Sequence, residues 1–169
     1  MKILFALIVL MLCGCTRVAV NRPLGVPITL EEAKRLAGTW TGAKGEEYVV
    51  TVDDGNLPLL VEYVEDSKPK NLRGVVTLLN SEVPVLWLRD SGLDAFIFCR
   101  VCMIGEGGLS LLFPDDEEVK RFVAEGSLSG RYDEKSRSWI LDQKGLERSM
   151  SDKQLWRMDA IMPFLKKTK

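Results

Sequence analysis

A mainly β fold is predicted, an antiparallel up-and-down barrel of about eight strands, and three features of the chain predict it. Apolar runs rich in Val, Leu and aromatic residues recur between Glu46 and Phe113. Turns built from Gly, Asp, Asn and Pro separate them. Each connection is short, which favours hairpins between sequence neighbours over long crossovers.

In chain order, Thr29-Leu-Glu-Glu32 forms a capping box, and Leu30, Ala33, Leu36 and Ala37 repeat at helical spacing until Gly38, predicting a short N-terminal helix. Gly38-Thr39-Trp40-Thr41-Gly42 comes next. The strand runs cover 46–52, 57–64, 72–79, 83–88, 95–104 and 109–113, with turns at 53–56, 65–71, 90–94 and 105–108. The acidic run Asp115 to Glu118 opens one inserted short helix over 115–125, with Val119, Phe122 and Val123 on its apolar side. Those carboxylates lack the spacing and turn glycine of a calcium loop, so helix-start electrostatics accounts for them and no metal site is expected. A last hairpin pairs 127–132 with 138–141. Ser151-Asp-Lys-Gln154 is a second capping box, and Leu155, Met158, Met162 and Leu165 line one side of a predicted C-terminal helix that Pro163 kinks or ends. Together, residues 29–169 read as a single barrel domain.

The first 14 residues have the parts of a secretory signal: Lys2, an apolar run from Ile3 to Leu12, and small Gly14. That run is too short to cross a bilayer, which takes roughly 20 apolar residues. Leu12-Cys13-Gly14-Cys15 resembles the bacterial lipoprotein box, with Cys15 as the lipidated cysteine. Leu12 is too bulky to precede Cys13 in that role. The resemblance implies a diacylglyceryl group and an amide-linked chain on Cys15, enough acyl chains for stable membrane attachment. It also implies an envelope location, and Thr16 in place of an Asp favours the outer membrane, facing the periplasm. Residues 15–28 then read as the lipidated cysteine and a tether, the segment from Thr16 to Pro27 being polar and without period.

Composition removes several function classes. The 24 acidic and 23 basic residues leave no broad positive field, so nucleic acid is not an expected partner. Histidine is absent, which excludes Ser-His and Cys-His catalysis. Most carboxylates fall in turns and helix starts, where they have local work, so no enzyme activity and no cofactor are expected. Cys99 and Cys102 have Cys-x-x-Cys spacing, but in the strand-like run Phe96 to Ile104 residues three apart point to opposite faces. Two ordinary thiols are expected, not a redox pair.

The order of elements, a short helix leading into Gly38-x-Trp40, then meandering strands, then a C-terminal helix, resembles the lipocalin and calycin superfamily. The resemblance implies that Trp40 plugs the closed end of the barrel. On alternation, Tyr48, Val50 and Val52 share an inward face, as do Leu57, Leu59, Val61 and Tyr63. Two settings are open for the later strands. Trp87 and Arg89, with Phe96, Phe98 and Arg100, form an inner wall on which Arg100 meets an anionic head group, since guanidinium binds carboxylate bidentately. Alternatively Ile97, Cys99, Val101 and Met103 face inward and leave Arg100 outside. The candidate ligand contacts are therefore Trp40, Tyr48, Tyr63, Trp87, Phe98 and Arg100. The function expected from these readings is a lipid-anchored cell-envelope barrel that binds a small hydrophobic ligand. The competing expectation is a non-enzymatic envelope protein that grips a protein partner through its outer surface.

Overall fold

A computed structural model describes residues 17–65, 67–80, 82–90, 92–103, 107–157 and 161–167. The signal segment and Cys15 lie outside the described residues. The elements run β1 Arg17–Val20, β2 Val26–Pro27, α1 Leu30–Lys34, β3 Gly38–Gly42, β4 Glu47–Val52, β5 Leu59–Glu65, β6 Lys68–Leu79, β7 Val83–Asp90, β8 Ala95–Met103, β9 Gly108–Leu112, α2 Asp116–Ala124, β10 Gly130–Asp133, β11 Ser138–Leu141, α3 Leu146–Met150 and β12 Met162–Lys166. Eight of the strands close into an antiparallel barrel in the order β3-β4-β5-β6-β7-β8-β9-β12, with β12 returning to β3. Closure leaves the barrel without a free edge where those strands pair.

The barrel is tightly drawn at Gly74, which pairs with both Leu59 and Leu88. A Cβ there would stand 2.4 Å from the carbonyl oxygen of Trp87, so the two backbones approach as closely as they do because residue 74 has no side chain.

Two expectations about the chain ends are corrected. The residues read as a C-terminal helix instead form a one-turn 3-10 helix at Lys153–Leu155 and then β12. The apparent helical period came from residues serving different purposes: Leu155 is fully buried, whereas Leu165 is exposed on the outside of a strand. Strands β9 and β3 would otherwise leave two unpaired edges, and pairing both outweighs local helix propensity. Pro163 is tolerated because it stands one residue before the pairing with β3 begins. The third short helix lies earlier, as α3.

The tether reading is corrected at residues 17–27. Arg17–Val20 is a strand, with Ala19 and Val20 fully buried. It lies between β8 and β11, antiparallel to the first and parallel to the second, and Val26–Pro27 pairs with β6. Val18, Ala19 and Val20 are a short apolar run inside a polar segment, and burying it offsets the ordering of the residues around it.

β8 is where the sheet forks. Its N-terminal half pairs with β1 and its C-terminal half with β9, while β7 runs along the other edge. The branch carries β1, β11 and β10, so the hairpin of β10 and β11 stands outside the barrel rather than in its wall.

The largest hydrophobic core therefore lies outside the barrel as well. It forms between the outer face of β6 to β9 and a covering layer of β1, α2, β11 and α3. Trp87 and Phe98 come from the barrel side, their rings 5.3 Å apart, and Trp156 meets Phe98 edge-on at 6.1 Å. The Trp87 indole donates to Thr77 Oγ1 at 2.8 Å, and that hydroxyl donates in turn to the Leu24 carbonyl. Val119 and Phe122 bring α2 into this core. Asp115 caps α2, accepting from the amides of Glu117 and Glu118, as its acidic start predicts.

A smaller core joins α1 to the barrel through Ala33, Leu59 and Val76. α1 has the predicted capping box, with Glu32 N donating to Thr29 Oγ1 at 3.2 Å and Thr29 N donating to Glu32 Oε2 at 2.8 Å. At five residues it is too short to hold itself together, so the cap and the buried Ala33 both matter. Thr29→Ala is expected to cost about 1 kcal/mol in a urea unfolding experiment.

Candidate functional site

The strand register fixes which side chains face into the barrel. Cross-strand partners share a face, and the pairs Trp40 with Tyr48, Tyr48 with Tyr63, Val50 with Val61, and Val61 with Leu72 form one continuous inward row. Leu86 and Leu88 continue it through their partners Cys99 and Ile97, and Val101 with Leu111 and Leu109 with Phe164 carry it round to β12. The second of the two settings left open by alternation is thus the one adopted. Ile97, Cys99 and Val101 face inward, and Trp87, Phe98 and Arg100 lie on the outer face of the wall.

Inside the barrel is a cavity of about 250 Å³, lined by aliphatic and aromatic side chains from all eight strands. Of the six candidate contacts, Trp40, Tyr48 and Tyr63 line it. Phe98 borders it from the outer core, at the fork in β8. Trp87 and Arg100 do not line it. Trp87 is a core residue, and Arg100 has its Nε buried without a hydrogen-bond partner among the described residues, so the inner-wall guanidinium of the first setting is not at that position. Leu57 also departs from expectation: it precedes β5 and packs against the outer core.

α1 packs over one end of the cavity through Ala33, which meets the lining residues Leu59 and Val76. Leu36 and Trp40 line it there. The Trp40 indole donates to the Leu36 carbonyl at 2.8 Å, and Lys166 Nζ donates to the Arg35 carbonyl at 2.7 Å while lying 5.5 Å from the centre of the Trp40 ring. Two carbonyls left unpaired by the end of the helix are satisfied by donors from the first and last barrel strands. Trp40 thus sits at the α1 end of the cavity, with Lys166 packed beside its ring. Lys166 was hidden from the sequence reading because the segment around it was read as a helix. Its alternation with Phe164 and Met162 was the available signal.

The other end holds the polar lining. β9 runs from beside Lys166 to Phe113, away from α1, and Phe113, Pro114, Asp116, Arg157 and Arg17 line the cavity on that side. Arg17 Nη1 bonds Asp90 Oδ2 at 3.0 Å, with both side chains largely buried. Arg157 is positioned through its backbone amide, which donates to the Phe113 carbonyl at 2.9 Å. Tyr48 stacks on Tyr63 at 5.9 Å and meets Phe164 edge-on at 5.4 Å. Two guanidinium groups, one carboxylate and two phenols therefore border an otherwise hydrocarbon space, a pattern suited to an apolar body with a small polar end. The chain matches no family model, no curated protein and no solved structure. What the cavity can do follows from its own residues.

The two thiols point to opposite faces of β8 and are both free. Burial pushes the Cys99 thiol far above its ordinary range, since a thiolate in that apolar setting has no compensating partner. A thiol reagent at pH 8 is therefore expected to leave Cys99 unmodified in the folded protein and to label it on unfolding. The sign for stability follows from the raised value: the folded state keeps a proton that the unfolded chain releases above about pH 8.5. Stability is expected to fall as pH rises beyond that point, and Cys99→Ala should flatten the alkaline limb of a stability–pH curve.

Proposed function

We propose that this protein is a binding module of the bacterial cell envelope, held to the membrane by acyl chains on Cys15, that keeps a small hydrophobic molecule inside its barrel. The observation that carries the reading is the apolar cavity within the barrel, about 250 Å³ in size. A cavity of roughly 150 Å³ lined by Leu, Ile and Phe side chains stays dry and takes up an apolar guest, so a larger one of the same chemistry favours occupation by hydrocarbon. The volume lies just under the roughly 300 to 1,000 Å³ of drug-sized sites, which favours a slim chain or a single ring. Because the main core is outside the barrel, the fold does not need the interior filled in order to be stable.

The location rests on the lipoprotein box and on Thr16 after Cys15, which supports the outer membrane, facing the periplasm. Binding rather than catalysis is supported by the work the carboxylates already do. Glu32 and Asp115 cap helices, Asp53 pairs with Arg73, Asp90 with Arg17, and Glu118 and Glu125 with Arg121. The exposed large hydrophobics also support a cavity over an outer docking face. Val64 on β5 and Leu165 on β12 are separated on the outer face by Thr41 of β3 and the exposed Glu47 of β4, so they do not form one patch.

The test uses the chain from residue 15 with Cys15→Ser, which holds every element described above, purified without detergent. Dodecanoate should bind one per chain by native mass spectrometry and change tryptophan fluorescence saturably. No adduct and no fluorescence change up to the solubility of the probe would refute the reading.

A further inference from the structure

We infer that the resident occupant of the barrel is one of the protein's own acyl chains, carried on Cys15. The inference rests on the binding reading above and gives its ligand a source. Arg17 and Val18, the first described residues, are themselves part of the cavity lining. They are fixed there: Val18 is buried, Arg17 bonds Asp90, and Ala19 and Val20 pair with β8 at the fork. Covalent geometry then places the Cys15 Cα within about 7 Å of that of Arg17. A lipid on Cys15 is therefore joined two residues from a side chain that lines the polar end of the cavity, not across a long tether.

Three consequences follow from chemistry. A lipid chain long enough to cross one leaflet, about half of a ~30 Å hydrocarbon core, is long enough to reach into a barrel whose lining begins two residues away. Moving it from bilayer to cavity exchanges one hydrocarbon setting for another, so the exchange costs little, while the cavity lining gains the dispersion contacts it otherwise lacks. A group joined through so short a linker has an effective concentration in the millimolar range, well above that of a sparingly soluble free amphiphile. With one chain in the barrel, the two others implied by the lipoprotein box still hold the protein to the membrane. The β1 side of the molecule then stands near the lipid surface, because β1 leaves almost no spacer.

The experiment compares the acylated protein from its own envelope, in lipid nanodiscs, with the Cys15→Ser chain, and uses dodecanoate as the probe. The Cys15→Ser chain is expected to bind it, and the acylated protein at least about tenfold more weakly. In parallel, cells fed a fatty acid with a terminal diazirine carry the photolabel into the lipoprotein. Irradiation should join the Cys15 lipid to peptides containing Val50, Val61 or Leu72, and Val61→Trp, or Leu72→Phe should that variant not fold, should abolish those crosslinks. Equal probe binding by the two forms, with Cys15 crosslinks to phospholipid alone, would overturn this inference and leave the binding reading standing. Barrel peptides crosslinked to a lipid not attached to Cys15 would also overturn it, in favour of capture from the membrane. Failure of the Cys15→Ser chain to bind dodecanoate would remove the binding reading itself, and mass spectrometry showing no acyl group on Cys15 would remove the anchor.

Discussion

Replacing Trp87 by alanine is expected to lower the stability of the domain by about 3–5 kcal/mol, the range for removing a large buried aromatic side chain. Trp87 is fully buried in the outer core, packed against Phe98, and its indole donates to Thr77. The substitution leaves a void that the barrel wall cannot collapse into, because Gly74 already holds the neighbouring backbone of Trp87 at its closest approach. Of a total stability of about 5–15 kcal/mol, that loss is a large share. At about 2–4 °C per kcal/mol for a domain of this size, the melting temperature should drop by roughly 10 °C. Trp87→Phe keeps most of the packing and loses one hydrogen bond, so about 1–2 kcal/mol is expected. Urea unfolding with an unchanged slope measures both. The companion variant is Val61→Ala, whose methyl groups face the cavity and have few partners to lose, so it should cost well under the usual range for a core truncation. If Val61→Ala proved the more damaging of the two, the outer core would not be the one that holds the fold.

Filling the cavity should separate binding from stability. Val61→Trp places an indole in the cavity beside β5, and the apolar lining accepts it without a buried polar group left unpaired except the indole N–H, which Tyr48 and Tyr63 are close enough in register to approach. Overpacking a filled core costs about 1–3 kcal/mol, but here the room exists, and the midpoint of urea unfolding should move by less than that. Dodecanoate binding should weaken at least tenfold, about 1.4 kcal/mol. An unchanged affinity in a folded Val61→Trp variant would place the ligand elsewhere.

Much of the first half of the barrel is legible because period-two alternation is strong in β4 and β5: Tyr48, Val50, Leu59, Val61 and Tyr63 read as inward from sequence and are inward. The later strands were ambiguous for a physical reason. β7 and β8 are buried on both faces, one by the cavity and one by the outer core, so Ile97 and Phe98 look equally suited to an interior. A strand covered on both sides carries no alternation to read. Arg17 to Val20 escaped detection because four residues are too few to show a period, and the partner β11 lies more than a hundred residues away. β12 was misread because Leu155, Met158, Met162 and Leu165 fall at helical spacing by coincidence, and only closure of the barrel, a long-range constraint, decides against a helix.

The most direct test of a hydrocarbon-binding barrel is to locate the ligand in it. With 13C-labelled dodecanoate and the methyl-labelled Cys15→Ser chain, intermolecular NOEs are predicted to the methyl groups of Val50, Val61, Leu72 and Leu88, all on the cavity lining. NOEs confined to the exposed methyls of Val26, Val64 and Leu165, with none to the interior set, would contradict the account.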